Sequence, residues 1–575
     1  MKNNFTLRSK IIILCIFVFS LILLAKLFLV QVINKNVYKE SADRQYATNS
    51  SNIFERGTIF FQNRDKDGDG GQLISGATQT SGFKIAINPS KIIDKEEVYK
   101  KLVKIIPLDY TDFITRANKK SDPYEEVANH IGKDSADAIS AIKIPGVSIF
   151  KEKWRFYPGE SLASHTLGLV AYKDSELGGR YGLERQYNTE LARNNNEPYV
   201  NFFAEVFSNI NKTFFEKEKR EGDVVTTIEP QVANFLEKKL EEVKKKYQAD
   251  SIGGIIMNPI DGAIYAMAVK PDFNPNDFSQ IKNSMTFSNP LVENVLEFGS
   301  VVKPLVMASA LDFGVVRADT TYNDKGSVII EKKEIFNFDK KARGSNISMQ
   351  EVLNQSLNTG MVYVMQKLGR ENMRDYLLSF GIKDKTGIDL PNETSGLISN
   401  LNSPREIEYA NAAFGQGIAL TPIQMIRALA SLANGGNLVV PHLVEKIKYS
   451  DGTSTTKEYP TIPTKIKKET GEEITRMLVE VMDKSIKGGL GKFENFSVAV
   501  KTGTAQVANN TNGGYYEDRH THSFFGYFPA YDPKFIILLY AVNPKGSPYA
   551  ATTWSDPFLE ITKFLLSYYE LPPDR

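Results

Sequence analysis

The sequence predicts an α+β protein behind an N-terminal transmembrane helix. Three observations carry this: a 20-residue apolar run near the start, β-prone segments at both ends of the C-terminal half, and helical periodicity between them. A chain of 575 residues exceeds one compact domain, so two or three folded units are expected. Lys and Arg number 70 against 68 Asp and Glu, which excludes the strongly basic domain of a nucleic-acid partner.

Residues 11–30 (IIILCIFVFSLILLAKLFLV) would cover roughly 30 Å as a helix, enough to span a bilayer. Lys26 lies in the last turns, where its stem reaches the interface. Lys2, Arg8 and Lys10 precede the run without an acidic neighbour, so residues 1–10 are expected in the cytoplasm and everything after residue 30 outside it, on a single-pass inner-membrane protein. A retained anchor is favoured over a cleaved signal peptide, because the apolar region is longer than about 15 residues and no A-x-A-like site follows.

Residues 31–220 carry short strand-like and helical pieces between polar loops, and the charged stretch 216–223 (EKEKREGD) marks a boundary with the domain expected over 221–575. There, Glu229-Pro230 opens a helix whose apolar face is Val232, Phe235, Leu236, Leu240 and Val243. SIGGIIMNPIDGAIYAMAV, from Ser251, reads as a hairpin turning at Asp261-Gly262. FIILLYAV at 535–542 is a buried strand, 557–568 a helix, and 290–435 mainly helical. The expected result is an antiparallel sheet assembled from both ends of the domain and covered by helices.

Several chemistries drop out. The single cysteine, Cys15, lies in the apolar run, and none of the five histidines forms H-E-x-x-H, so neither cysteine catalysis nor a zinc hydrolase is expected, and no metal or cofactor is implied. Asp65-Lys66-Asp67-Gly68-Asp69-Gly70 begins like a calcium loop, but its twelfth position is Gly76 where a bidentate Glu is needed, so it reads as a solvated turn.

With histidine scarce, a Ser-Lys pair is the natural acyl-transfer chemistry, since S-x-x-K on a helix places both side chains on one face. The motif occurs six times, at Ser81, Ser140, Ser148, Ser279, Ser300 and Ser454. Only Ser300 follows a Gly and precedes an apolar helical stretch, with Lys303 as its lysine and Pro304 in the first turn. S-x-N occurs at Ser356-Leu357-Asn358 and, close to the apolar run, at Ser50-Ser51-Asn52; an isolated copy is usually a cap or turn. K-T-G occurs at Lys385-Thr386-Gly387, in a loop-like setting, and at Lys501-Thr502-Gly503, after the β-prone FSVAV. The second suits a strand whose Gly admits close backbone approach and whose hydroxyls and lysine receive a carboxylate.

S-x-x-K, S-x-N and K-T-G in this order and spacing resemble the class B penicillin-binding proteins. ERGTI at Glu55, RFYPGE at Arg155, GLERQYNTEL at Gly182, TGIDLPNETSG at Thr386, FGQGIALTPIQM at Phe414 and HSFFGYFPAYDP at His522 resemble the same family, so the likeness covers almost the whole chain. Phe298 departs from the family's usual Pro before Gly-Ser. The resemblance implies an elongated mixed α/β pedestal over 31–220, of the penicillin-binding protein dimerisation type, and a penicillin-binding/serine β-lactamase-like transpeptidase domain over 221–575. It implies a peptidoglycan D,D-transpeptidase that cross-links stem peptides through a serine acyl-enzyme and is acylated by β-lactams. By carry-over, Ser300 is the nucleophile, Lys303 the base and Ser356 a proton shuttle. Asn358, Lys501, Thr502, Gly503 and Thr504 bind substrate, and the backbone N–H groups of Ser300 and Thr504 form the oxyanion hole. No glycosyltransferase domain is apparent, so a SEDS-type glycan polymerase and other wall-synthesis proteins are the implied partners, without nucleic acid. The C-terminal stretch and the HSFFGYFPAYDP segment look more like the division type than the elongation type. D,D-carboxypeptidases, β-lactamases and β-lactam sensors share the three motifs, and a catalytically silent division scaffold would share the fold.

Overall fold

The computed structural model describes residues 17–21, 23, 26, 55–63, 71–119, 122–173, 176–193, 221–279, 281, 283–509 and 513–575. Within the apolar run only 17–21, 23 and 26 are described, all helical and exposed, and among the described residues no helix is long and apolar enough to cross a membrane. The rest of the expected anchor, Ser50-Ser51-Asn52 and the turn at 65–70 lie outside the described residues.

Two compact units divide the chain: residues 56–78 and 155–193 cluster with 221–575, while 79–154 belongs to the other unit. In that smaller unit, residues 79–87 of β1 (Leu73–Ile87) pair antiparallel with β2 (Glu125–Ile131), and β3 (Val147–Phe156) also pairs with β1. Helices α1 (Lys95–Leu102) and α2 (Tyr110–Ala117) start at Asp94 and Asp109, whose carboxylates accept from the N–H of Glu97 and Asp112. With α3 (Lys133–Ile142) they enclose a separate small core of Ile85, Ile87, Leu102, Phe113 and Ile139.

The larger unit holds two sheets of more than two strands, besides short two-stranded ladders. One joins β4 (Gly222–Thr226) in parallel to the strand Ile59–Gln62, which pairs with residues 73–77 of β1. The other is the five-stranded antiparallel sheet expected from the sequence. Its strands are β5 (Ser251–Met257), β6 (Ile264–Lys270), β8 (Ala499–Ala508), β9 (Tyr515–Phe528) and β10 (Phe535–Val542), in the order β8-β9-β10-β5-β6. The predicted hairpin and buried strand are both present. β7 (Val444–Tyr449) extends the first sheet against β4.

Helix α4 (Pro230–Tyr247) starts at the predicted Pro and buries Val232, Leu236, Leu240 and Val243, while Phe235 stacks on Phe564 at 4.1 Å. Helix α5 (Lys303–Phe313) is buried on every side from Lys303 to Ala310 and packs against α6 (Asn358–Leu368), α7 (Pro422–Ala433) and α8 (Lys468–Ser485). Helix α9 (Ala550–Tyr568) begins seven residues before the predicted start and carries Pro557 inside it. Its first turns bury Ala550, Thr553 and Trp554, and Trp554 donates to the His522 carbonyl at 3.2 Å, so packing overrides the proline. The mainly helical reading of 290–435 misses two small ladders: Thr321–Asp324 pairs with Gly344–Ser348, and Ser327–Ile330 with Lys333–Phe336.

Candidate active site

Ser300 lies in a 3₁₀ turn, Gly299–Val302, that runs directly into α5. The i, i+3 geometry of such a turn stacks Ser300 over Lys303. The turn sits against the sheet-edge strand β8 by virtue of two glycines. A Cβ on Gly299 (φ +56°) would lie 2.6 Å from the Thr504 carbonyl oxygen, and one on Gly503 would lie 2.3 Å from that of Phe298. The Ser523 hydroxyl, opposite Gly503 on β9, ties the two by donating to Phe298 O at 2.8 Å. The Phe298 side chain, where the family usually has Pro, is fully buried.

From the opposite side comes Ser356, held at φ +55° between the helix Met349–Asn354 and α6. A non-glycine residue in this region carries strain of about 1–3 kcal/mol and persists only where its surroundings impose it. They do so here. Lys303 Nζ donates to Ser356 O at 2.6 Å and to Asn358 Oδ1 at 2.8 Å, and lies 3.3 Å from Ser356 Oγ. Lys501 Nζ donates to Ser356 Oγ at 2.9 Å and to Thr502 O at 3.1 Å. The Ser356 hydroxyl therefore lies between two lysine amines.

Both lysines are buried. Burial, and then the charge of Lys501, holds the Lys303 amine well below the ordinary lysine range. Burial brings Lys501 down to about 7. A neutral Lys303 spends its two N–H groups on Ser356 O and Asn358 Oδ1 and keeps its lone pair for a hydroxyl proton.

The predicted site residues converge here from three separate stretches of chain, 300–303, 356–358 and 501–504. Thr502 and Thr504 are half-buried on the face of β8 opposite Lys501 and Gly503, and Thr504 Oγ1 accepts from the Ala550 N–H at 3.1 Å, leaving its own proton free to donate. Asn358 has one commitment its sequence did not disclose: its Nδ2 donates to Phe336 O at 2.9 Å. The exposed rings of Phe338 and Tyr549 meet edge to face, 5.6 Å apart.

Sequence reasoning missed Ser523, Glu297 and Tyr515. Ser523 was legible only through its pairing with Gly503. Glu297 Oε1 accepts from Tyr515 OH at 3.1 Å and from the Gly417 N–H at 3.2 Å, while Oε2 is buried without a partner; burial pushes this carboxyl up to about 7.

A half-buried serine on a tight turn, a lysine whose amine burial holds well below its ordinary range and a second serine bridging two amines define an active-serine acyl-transfer centre. The chain belongs to the penicillin-binding protein transpeptidase family: the penicillin binding protein transpeptidase domain matches residues 252–560, and the penicillin-binding protein dimerisation domain matches 55–227. It is 28% identical to stage V sporulation protein D of Bacillus subtilis, over 95% of this chain and 83% of that protein. It is 26% identical to the peptidoglycan D,D-transpeptidase FtsI of Escherichia coli K12, over 82% and 76%. Its fold is similar to that of penicillin binding protein 2X from Streptococcus thermophilus (TM-score 0.70, 21% identity, 90% and 81% covered). The aztreonam complex of penicillin binding protein 3 from Mycobacterium is also similar (TM-score 0.67, 20% identity, 91% and 98% covered).

Proposed function

We propose that this chain is a peptidoglycan D,D-transpeptidase of the penicillin-binding class. The observation that carries the reading is the Ser356 hydroxyl between Lys303 and Lys501, beside an edge strand packed against the Ser300 turn.

Ser300 Oγ attacks the carbonyl carbon of the penultimate D-Ala while the neutral Lys303 amine takes its proton. Negative charge on the carbonyl oxygen is met by the N–H groups of Ser300 and Thr504, the latter on the edge strand β8. The proton passes through Ser356 to the departing D-Ala amine, leaving an ester on Ser300. An amine from a neighbouring stem then attacks that ester, Lys303 takes its surplus proton and hands it to Ser300 Oγ, and the serine leaves as a hydroxyl while the new amide forms. Asn358 holds Lys303 and faces the substrate, and Lys501, Thr502 and Thr504 receive the donor carboxylate. A β-lactam is attacked in the same way.

The division role, the membrane anchor over 11–30, the pedestal over 31–220 and a SEDS-type polymerase partner belong to the same proposal. The apolar run supports the anchor, the match to the dimerisation domain the pedestal and the likeness to FtsI the division role, while the polymerase partner follows from the family resemblance. Labelling with a fluorescent penicillin tests the catalytic core: the native chain takes one covalent label and Ser300→Ala takes none. A labelled Ser300→Ala protein would sink the assignment.

A further inference from the structure

Two side-chain amide atoms decide what Asn358 does: Oδ1 faces Lys303 only because Nδ2 faces Phe336 O. What fixes Phe336 therefore fixes the lysine. We propose that Asp324 is a positioning residue for acyl transfer at Ser300, acting through Asn337 and Thr359 on Asn358 and hence on Lys303; the inference rests on the transpeptidase reading.

Asp324 is 1% exposed, a position at which a carboxylate is costly unless its oxygens are satisfied. Oδ1 accepts from Thr359 Oγ1 at 2.7 Å, from Asn337 Nδ2 at 3.1 Å and from the Gly326 N–H at 3.1 Å. Oδ2 accepts from Asn337 Nδ2 at 3.0 Å and from the Arg343 N–H at 2.9 Å. Each of these donors is a neutral dipole; the Arg343 guanidinium turns instead to Asp339 and Gln355. The carboxylate thus orients its neighbours and does not serve an ion pair.

The bonds lead to the catalytic motif. Asn337, also 1% exposed, uses Oδ1 to accept from the Thr359 N–H at 3.2 Å, and the same oxygen lies 3.1 Å from Thr359 Oγ1, whose proton goes to Asp324. Asn337 follows Phe336 and Thr359 follows Asn358, so two adjacent residues on each segment are locked together, and Asp324 grips both segments at once. A carboxylate that only stapled its own loop would have no need of Thr359, and the Asp339–Arg343 ion pair already ties that loop.

The test measures acylation of the full chain by a fluorescent penicillin, separating the limiting rate from the dissociation constant of the non-covalent complex. In Asp324→Asn the limiting rate is expected to fall about 100-fold, the size of loss that small misplacement of a reacting group produces, with the dissociation constant near native. Asp339→Asn, on the same loop, keeps the native rate. Added to Asn358→Ala, Asp324→Asn causes no further loss, because it acts through Asn358. If Asp324→Asn does not fold, Thr359→Val, which removes only the hydroxyl, is expected to show a smaller loss of the same kind. A folded variant acylating at the native rate, full additivity with Asn358→Ala, or equal slowing by Asp339→Asn would overturn the proposal. Failure of the active-serine assignment on which the transpeptidase reading stands is distinguishable, since the native chain itself would then take no label at Ser300.

Discussion

The two K-T-G segments have the same three residues and opposite fates. At Lys385-Thr386-Gly387 the motif closes on a carboxylate of its own loop: Thr386 N–H and Oγ1 donate to Glu393 Oε1, both at 2.6 Å, and the Gly387 N–H donates to Oε2 at 3.1 Å. Lys385 points to solvent beside a surface hollow of about 610 Å³, lined also by Lys383 and Ser395 to Ser399. At Lys501-Thr502-Gly503 the lysine is buried against Ser356, and the glycine is pressed against the nucleophile turn. The chemistry of K-T-G is capture of a carboxylate; one copy has an internal carboxylate already, and the other is held open by an edge strand. The size of the hollow does not mark the functional copy.

The largest expected effect that sharpens this contrast is Lys501→Ala, which should slow acylation by a fluorescent penicillin about 100- to 1,000-fold, the range seen when a preorganised electrostatic group is removed. Next is Glu393→Ala, which strands the buried Thr386 donors. It should cost about 1–3 kcal/mol for each one left unsatisfied, read from denaturant unfolding, while the folded fraction acylates at the native rate.

The pair of carboxylates gives a third test. Glu393 uses both oxygens, but Glu297 leaves Oε2 unpartnered and holds its proton up to about pH 7. The unfolded chain loses that proton near the ordinary carboxyl value, about 4.3, so stability contributed by Glu297 is full below that pH, falls as pH rises towards 7 and stays low above it. Glu297→Gln should therefore raise the melting temperature at pH 8 by about 2–4 °C and converge on the native value below pH 4; a gain equal at both pH values would show that desolvation of the charge is not the cause. The smallest expected effect is Lys385→Ala, whose acylation rate should match the native chain; slowing like that of Lys501→Ala would erase the distinction between the two copies.

Much of this was legible beforehand. The hairpin from Ser251 and the strand from Phe535 are long β-prone runs, and α4 has a proline at its start and one apolar face, so local signals sufficed. The ladders between 321 and 348 were missed because each strand has only four or five residues, too few for a period to show, and because they are stabilised by the buried Asp324-Asn337-Thr359 cluster, whose members lie far apart in sequence. The early start of α9 was hidden by Pro557.

By itself the sequence determined the identity and order of the reactive groups: Ser300 with Lys303 one turn on, Ser356 with Asn358, and Lys501 before Gly503. It could do so because residue type and short spacing are local properties. Only the tertiary structure decided that the Lys303 amine is held well below its ordinary range, that Asn358 presents its oxygen to that lysine, and that Lys501 meets Ser356. Those depend on burial and on partners 53, 22 and 145 residues distant, and solvation and hydrogen bonding are set by what surrounds a group in space.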